Sequence, residues 1–230
     1  MRATETVQAW VEDRLRSREL TVGMRLPAER ALAEQLGVSR GSVREALQVL
    51  AAMGVVRRSV GSGDAAGAVL IAEPAAPLGS ALRLHVATEA FPVRDVVETR
   101  VLLETWAVAA AARVTPAPDL TEVHELLDAM DDPDLDVRAF LRLDAQLHVA
   151  LAARSGNGLV GQIMVSLRES IETYVVGAIP HVADWSALLD TLRAEHREVV
   201  AAVAAADPDA AARAVDRHIR GFYAVSGLAG

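Results

Sequence analysis

Three histidines and one aspartate carry the strongest chemical signal in the chain. Asp144 and His148 stand four residues apart in a stretch with helical spacing, so their side chains project from one side, one turn above the other. Phe140, Leu147 and Leu151 share that side. Further on, His196 falls on a stripe with Leu189, Leu192, Val199 and Val203, and His218 on a stripe with Ala211, Val215 and Phe222. A polar ring on a buried stripe must find a partner, because burying it unsatisfied costs about 1–3 kcal/mol. Each histidine alone reads as a hydrogen-bonded core residue rather than a ligand. Together, one carboxylate and three imidazoles from three helices suit a metal site inside a helix bundle. Three nitrogens and one oxygen match a divalent ion, with zinc the first choice and nickel, manganese or iron as alternatives, and leave positions for water or a ligand. His85, His124 and His181 share no such placement and read as surface residues.

The elements that must position these groups follow from periodicity and breakers. From Leu78 onward no stretch reads as a strand. About seven helices are expected, near 79–88, 93–113, 119–131, 134–154, 158–179, 184–206 and 208–226. Breaks fall at Phe91-Pro92, Pro116, Pro133, Ser155-Gly156-Asn157-Gly158, Pro180 and Asp207-Pro208. Asp119 and Asp207 are expected as N-caps, and Asn157 as a capping residue. Glu73-Pro74-Ala75-Ala76-Pro77 reads as a stiff linker that ends regular structure, within a linker set at residues 73–78.

Ahead of that linker the pattern changes. Residues 4–18 read as a first helix with Val7, Val11 and Leu15 on one side and Arg14, Arg16 and Arg18 near its end. These arginines suit either a solvated helix end or a phosphate contact. Next come a short helix, a turn at Gly37 and a second helix. Ala31, Leu32, Leu36 and Val38 are expected to form one apolar stripe, and Val43, Ala46, Leu47 and Leu50 another. Gly37 stands where a helix stops in the left-handed region, and Ser39 where the next one is capped. Arg40, Ser42 and Arg44 then occupy the exposed side of the second helix, the geometry that places side chains in a major groove. Val55-Val56 and Ala68-Val69-Leu70-Ile71 read as two short strands around a Gly-rich tip that includes Gly61 and Gly63, a hairpin suited to reach a minor groove. Asp64 in the same tip repels phosphate.

Composition bounds the function. The chain has 230 residues, enough for two modest domains, and 52% of them are hydrophobic, enough for a real core. Scarce aromatics and abundant alanine favour helix packing. The absence of cysteine excludes disulfides, cysteine zinc fingers and thiol chemistry. No signal peptide and no run of about 18 apolar residues is present, so a cytoplasmic location is expected. All 23 basic residues are arginine. The net charge of −8 conceals an asymmetry: residues 1–63 hold ten arginines against seven acids, +3, and the remainder carries −11. Only the first part has a sign suited to phosphate.

The N-terminal stretch resembles the winged helix-turn-helix of the GntR family of bacterial transcription regulators. The resemblance rests on Leu26-Pro27, Glu29-Arg30, Leu32-Ala33, Leu36-Gly37-Val38-Ser39-Arg40 and Val43-Arg44-Glu45-Ala46-Leu47. Ala28 departs from the serine usual in that family. Residues 80–226 resemble the FCD ligand-binding domain of its FadR subfamily, through Val97-Glu98-Thr99-Arg100, Leu103-Glu104, Asp144-x-x-x-His148, Ser155-Gly156-Asn157, Glu195-His196, Asp207, Ala211 and His218. The resemblance implies a mainly α protein: a winged helix-turn-helix over residues 1–72 and an all-α antiparallel bundle over 79–230. It also implies one metal ion held by Asp144, His148, His196 and His218, with a pocket beside it for a small carboxylate such as lactate, gluconate, citrate or a related sugar acid.

Arg100 offers a bidentate fork for that carboxylate, with a structural pair to Glu104 or Glu98 as the competing reading. The expected function is a homodimeric regulator, a repressor by first choice, reading a palindromic operator. Arg40 and Arg44 would read guanine edges, with Ser39 and Ser42 beside them. Arg30 would contact phosphate or a base edge near the groove lip, and Gly61 and Gly63 would stand at the wing tip. Two rivals stand beside it: a metal-dependent enzyme with an accessory DNA-binding-like domain, and a direct metal sensor. The lack of a catalytic motif or a general base paired to the site weighs against the enzyme.

Overall fold

In a computed structural model, residues 3–59, 67–88, 90–177 and 179–227 are described. They form ten α-helices and one two-stranded antiparallel sheet, divided into two compact units at Leu78/Gly79. Among the described residues, no helix is long and apolar enough to cross a membrane.

The first unit contains α1 (Ala3–Arg16), α2 (Glu29–Leu36), α3 (Arg40–Ala52), β1 (Val56–Ser59) and β2 (Gly67–Leu70). Its core is Val7 and Val11 of α1 against Leu32, Val43, Ala46, Leu47 and Leu50, closed by Val56 and Leu70 of the sheet. Gly37 ends α2 at φ 64°, and its N–H bonds to the Ala33 carbonyl. Ser39 caps α3, its side chain accepting from the Ser42 N–H at 3.0 Å. Ala28 provides no side-chain cap for α2. The α2 stripe differs from expectation: Ala31 is exposed and Ala33 takes the buried position, because Leu32 and Ala33 are the residues facing the core. Gly54, at φ 69°, is required twice over, since a side chain there would meet the Glu73 carbonyl. β1 pairs with β2 in the register Val56 to Leu70 and Ser59 to Gly67. Sequence periodicity did not reveal that Arg25 bridges Val69, with Leu26 donating to the Ala68 carbonyl and Leu70 to the Met24 carbonyl.

Helix α4 (Ala75–Ala87) crosses the division, and the second unit is a helix bundle of its greater part with α5 (Val93–Ala112), α6 (Thr121–Met130), α7 (Val137–Ala153), α8 (Gly158–Gly177), α9 (Trp185–Ala204) and α10 (Pro208–Ser226), with a 3-10 turn at Ile179–His181. Helix α4 starts four residues earlier than its expected start and takes up the end of the segment read as linker. Pro77 sits in its first turn, where no intrahelical donor is lost. Asp136, Asp184 and Asp207 cap α7, α9 and α10. Asn157 accepts from Leu159 and Val160 at the start of α8. Asp119 lies one residue ahead of the α6 cap and accepts from Thr121.

The bundle is tightest between α5, α9 and α10. Ala107 and Ala111 of α5 and Ala211 and Ala214 of α10 are buried, and such small side chains let helix backbones approach. Two charged residues, Arg100 and Glu104, interrupt the apolar face of α5 formed by Val97, Val101, Ala107 and Val108. The site is built around that interruption.

Candidate metal centre and nucleic-acid interface

His148 of α7, His196 of α9 and His218 of α10 are all buried, and their Nε2 atoms converge beside Asp144 of α7. His148 Nε2 and His196 Nε2 lie 3.1 and 3.2 Å from His218 Nε2. Asp144 Oδ1 lies 3.0, 3.6 and 3.9 Å from the Nε2 atoms of His196, His148 and His218. A tetrahedral ion with metal–nitrogen bonds of about 2.0–2.1 Å separates its donor atoms by about 3.3 Å, and the observed spacings bracket that value.

The other ring nitrogens make this more than a coincidence of distances. His148 Nδ1 meets the buried Glu104 carboxylate, and His218 Nδ1 meets Glu195 at 2.9 Å. Both carboxyls are held below the usual range. For Glu104, burial pushes upward and is outweighed by His148, Arg100 and Arg168. For Glu195, the hydrogen bond from His218 dominates. A carboxylate can only accept, so each Nδ1 carries the proton and each Nε2 presents a lone pair. Two lone pairs 3.1 Å apart do not form a hydrogen bond; a metal ion, or a proton on one of the rings, would relieve them. This carboxylate–imidazole–metal arrangement fixes the tautomer of metal-binding histidines. His196 lacks the device: its Nδ1 is buried with no partner. Burial lowers the pKa of both His196 and His218, against opposing bonds to Asp144 and Glu195 respectively. The donor set therefore fits a divalent ion, which would supply Lewis acidity and open coordination positions for a ligand.

Two arginines flank the centre. Arg100, 3% exposed, donates from Nε to Glu104 at 2.9 Å and from Nη1 to the Tyr223 hydroxyl at 2.5 Å. Burial opposes its charge, but Tyr223, Glu104 and Asp144 raise its pKa further above an already basic value. The Glu104 partner weighed from sequence is present, while Glu98 instead pairs with Arg220. Arg168 of α8 was not singled out from sequence. Its Nη1 donates to Asp144 Oδ2 at 2.8 Å, and its buried Nε and Nη2 have no hydrogen-bond acceptor. Its signal was there to be read: Met164, Ile171 and Val175 set an apolar stripe on α8, and position 168 falls on it. An orphaned buried donor costs about 1–3 kcal/mol, so Arg168 is held in an unsatisfied state. Burial pushes the Asp144 carboxyl upward, but Arg168, then His148 and His196, hold it well below the usual range. His85 and His124 are exposed, as expected, and the His181 side chain lies outside the described residues.

In the first unit, Arg30 and Arg40 are exposed and form no ion pair with the described residues. Ser39 and Ser42 hydroxyls lie 2.9 Å apart at the start of α3. Arg44 is exposed but tethered: its Nη2 and Nε reach Glu29 at 3.1 and 3.3 Å. Glu29 also pairs with Arg58 of β1 at 3.7 Å, a residue not picked out from sequence. Arg14 stacks over Trp10 and pairs with Glu19, and Arg16 pairs with Asp13. Gly61 and Gly63 lie outside the described residues.

A helix-turn-helix with a β-hairpin, followed by a helical unit with an inward Asp/His cluster, defines a DNA-binding regulator. Residues 3–64 match the model of the bacterial regulatory proteins of the gntR family, and residues 95–221 match the FCD domain. The chain belongs to the GntR family of transcription regulators, in its FCD-containing FadR-type branch. An Escherichia coli (strain K12) protein, named as a putative regulatory protein of the L-lactate dehydrogenase operon, is 31% identical over 223 residues. The match covers 91% of this chain and 82% of that one. The HTH-type transcriptional repressor NanR of Edwardsiella tarda is 30% identical over 228 residues, covering 96% and 84%. The solved structure of Streptococcus agalactiae GntR superposes with a TM-score of 0.67 at 27% identity, covering 95% of this chain and 97% of that one. The chain is a transcription regulator that binds DNA through its helix-turn-helix, and not an enzyme. The enzyme alternative raised by the open metal positions is thereby set aside.

Proposed function

We propose that the protein is a cytoplasmic, homodimeric repressor whose operator binding is controlled by a small carboxylate bound at a metal ion in the second unit. The observation that carries this reading is the convergence of three imidazole Nε2 atoms, two of them with lone pairs fixed by Glu104 and Glu195, and the Asp144 carboxylate in the bundle core. Asp144, His148, His196 and His218 hold the ion, with zinc the first choice. Glu104 and Glu195 orient two of the rings, and Arg100 meets the effector carboxylate with what remains of its fork. Relatives named as repressors and as a lactate-operon regulator support the choice of a repressor and of an organic acid. On the DNA side, Arg40 and Arg44 read base edges, while Ser39, Ser42 and Arg30 contact the backbone or groove lip, and the Gly61–Gly63 wing tip reaches the adjacent minor groove. Two copies related by two-fold symmetry would place two α3 helices on a palindromic site. The first unit thus serves DNA binding, and the second effector binding and dimerisation.

The test is binding of the full chain to DNA selected from a random library, measured for metal-loaded and chelated protein, with and without a panel of small carboxylates. Release of DNA by one acid only when metal is bound supports the reading. A response to metal alone, with every acid silent, identifies a direct metal sensor instead. Binding unaffected by chelation or by any acid removes the metal-anchored effector site.

A further inference from the structure

The cavity enclosed by Arg100, Asp144, His218, Phe222 and Tyr223 has a volume of about 20 Å³. By that measure it admits a water molecule and little more. On the other side of Arg168 lies a groove between α7 and α8 of about 510 Å³, in the range that holds a metabolite-sized ligand. Asp144, Arg168, Leu141 and Val175 border both spaces. Arg168 stands where they meet, with a side chain only 10% exposed.

The guanidinium of Arg168 has one edge to spare. Nη1 is engaged by Asp144, and Glu104 Oε1 is 3.9 Å from Nη2, beyond hydrogen-bond reach. The two orphaned donors, Nε and Nη2, lie on the same edge of the guanidinium. One such edge matches the two oxygens of one carboxylate. Arg100 has no such edge, since its Nε is bonded to Glu104 and its Nη1 to Tyr223; as the arginine assigned above to the effector it has only Nη2 left to offer the same carboxylate, one bond rather than a clamp. The groove walls are mainly apolar, with Val149 of α7 and Val165, Ile171 and Val176 of α8, and both Arg138 and Arg142 and the acids Glu122, Glu169 and Glu172 stand among the lining residues.

We propose that the Nε–Nη2 edge of Arg168 clamps the effector carboxylate, and that the effector is an acid whose body, longer than that of a three-carbon acid, lies in the α7–α8 groove. The proposal rests on the carboxylate-effector reading above and specifies its anchor and its ligand class. The carboxylate enters along the groove and satisfies the two orphaned donors beside Asp144. Its chain is then held against the α7 and α8 side chains rather than in the central cavity.

The test is calorimetric binding to the full-length, zinc-loaded protein of a straight-chain 2-hydroxy acid series from three to eight carbons, with zinc content measured for every variant. The expected result is affinity that rises at least tenfold between the three- and six-carbon acids. Val149→Trp, which fills the groove, abolishes that rise while sparing the shortest acid. Arg168→Lys, which keeps the charge and loses the fork, weakens every acid at least tenfold with zinc retained. Flat affinity along the series, or unchanged binding by a zinc-retaining Arg168→Lys, overturns the proposal and leaves a carboxylate effector in place. If Arg168→Lys loses zinc, the chain-length series and Val149→Trp decide alone. If the wild type binds no acid of any length, both the proposal and the carboxylate-effector reading fall.

Discussion

Glu104 and His148, on neighbouring helices α5 and α7, share a buried hydrogen bond that sets which nitrogen of His148 faces Asp144, His196 and His218. The other Glu104 oxygen takes Arg100 Nε at 2.9 Å, so one carboxylate orients a ligand ring and neutralises a buried guanidinium. Replacing Glu104 by Gln removes both the charge and the tautomer control. Loss of such an outer-shell partner lowers metal affinity by about 10–100-fold, and breaking a buried ion pair costs about 3–5 kcal/mol. Zinc competition against a chelating dye and thermal unfolding measure the two effects separately. Wild-type zinc affinity in Glu104→Gln would show that the tautomer argument is wrong.

The metal-free protein is expected to lose stability on mild acidification. His196 and His218 have folded-state pKa values lowered from 6.5, with burial the leading cause. Below about pH 6.5 the unfolded chain therefore takes up protons that the folded chain refuses. Stability is fully present above that value and declines as pH falls toward the depressed folded values. Thermal midpoints of chelated protein should fall as pH is lowered from neutral through that range, and a double His196→Asn, His218→Asn variant should show a shallower fall. Equal slopes for variant and wild type would contradict this origin.

On the DNA side, the bond between Arg44 and Glu29 separates stability from recognition. Both side chains are partly exposed, and such a pair contributes about 0–1 kcal/mol. Glu29→Gln should therefore change the thermal midpoint little. Freed of Glu29, Arg44 and Arg58 lose their fixed aim, and discrimination against single-base changes in the operator should narrow. Arg44→Ala should lose about 1–3 kcal/mol of discrimination at one base position. Arg30→Ala should weaken all sequences alike and reduce the salt slope by about 1. A uniform loss for Arg44→Ala would move that residue to the phosphate backbone.

Ser39→Ala tests the turn itself. The Ser39 side chain accepts from the Ser42 N–H at 3.0 Å, and losing such a cap costs about 1 kcal/mol. Chemical denaturation should show that loss. An unchanged midpoint would mean that water replaces the hydroxyl without cost.

The helix register was legible because period and punctuation agreed. Val43, Ala46, Leu47 and Leu50 announced α3, and Gly37 and Ser39 fixed the turn before it. The clustering of Asp144, His148, His196 and His218 was legible because three imidazoles on apolar stripes, one of them a turn from Asp144, all require polar partners that an apolar core does not supply. Arg168 was missed although its place on the α8 stripe was readable, because an arginine in a helix normally snorkels to solvent, and that it stays buried shows only in the packing of α7 against α8. The Glu29–Arg44–Arg58 cluster was missed because its partners come from three elements separated by up to 29 positions, where no periodicity applies. Arg25 pairing with β2 escaped for a related reason, since a single bridge leaves no repeat in sequence.

The unpartnered Nδ1 of His196 bears on time rather than affinity. His148 and His218 are each held at both ends, by a carboxylate and by the centre, so turning either ring breaks two attachments. His196 is held at one end only, against the face of Phe140. If the cluster holds an ion as proposed, ring rotation would be least opposed here, and an ion leaving the site would be expected to lose this nitrogen first. Its residence time would then be governed from α9, and a hydrogen-bond acceptor introduced beside Nδ1 would lengthen it without adding a ligand.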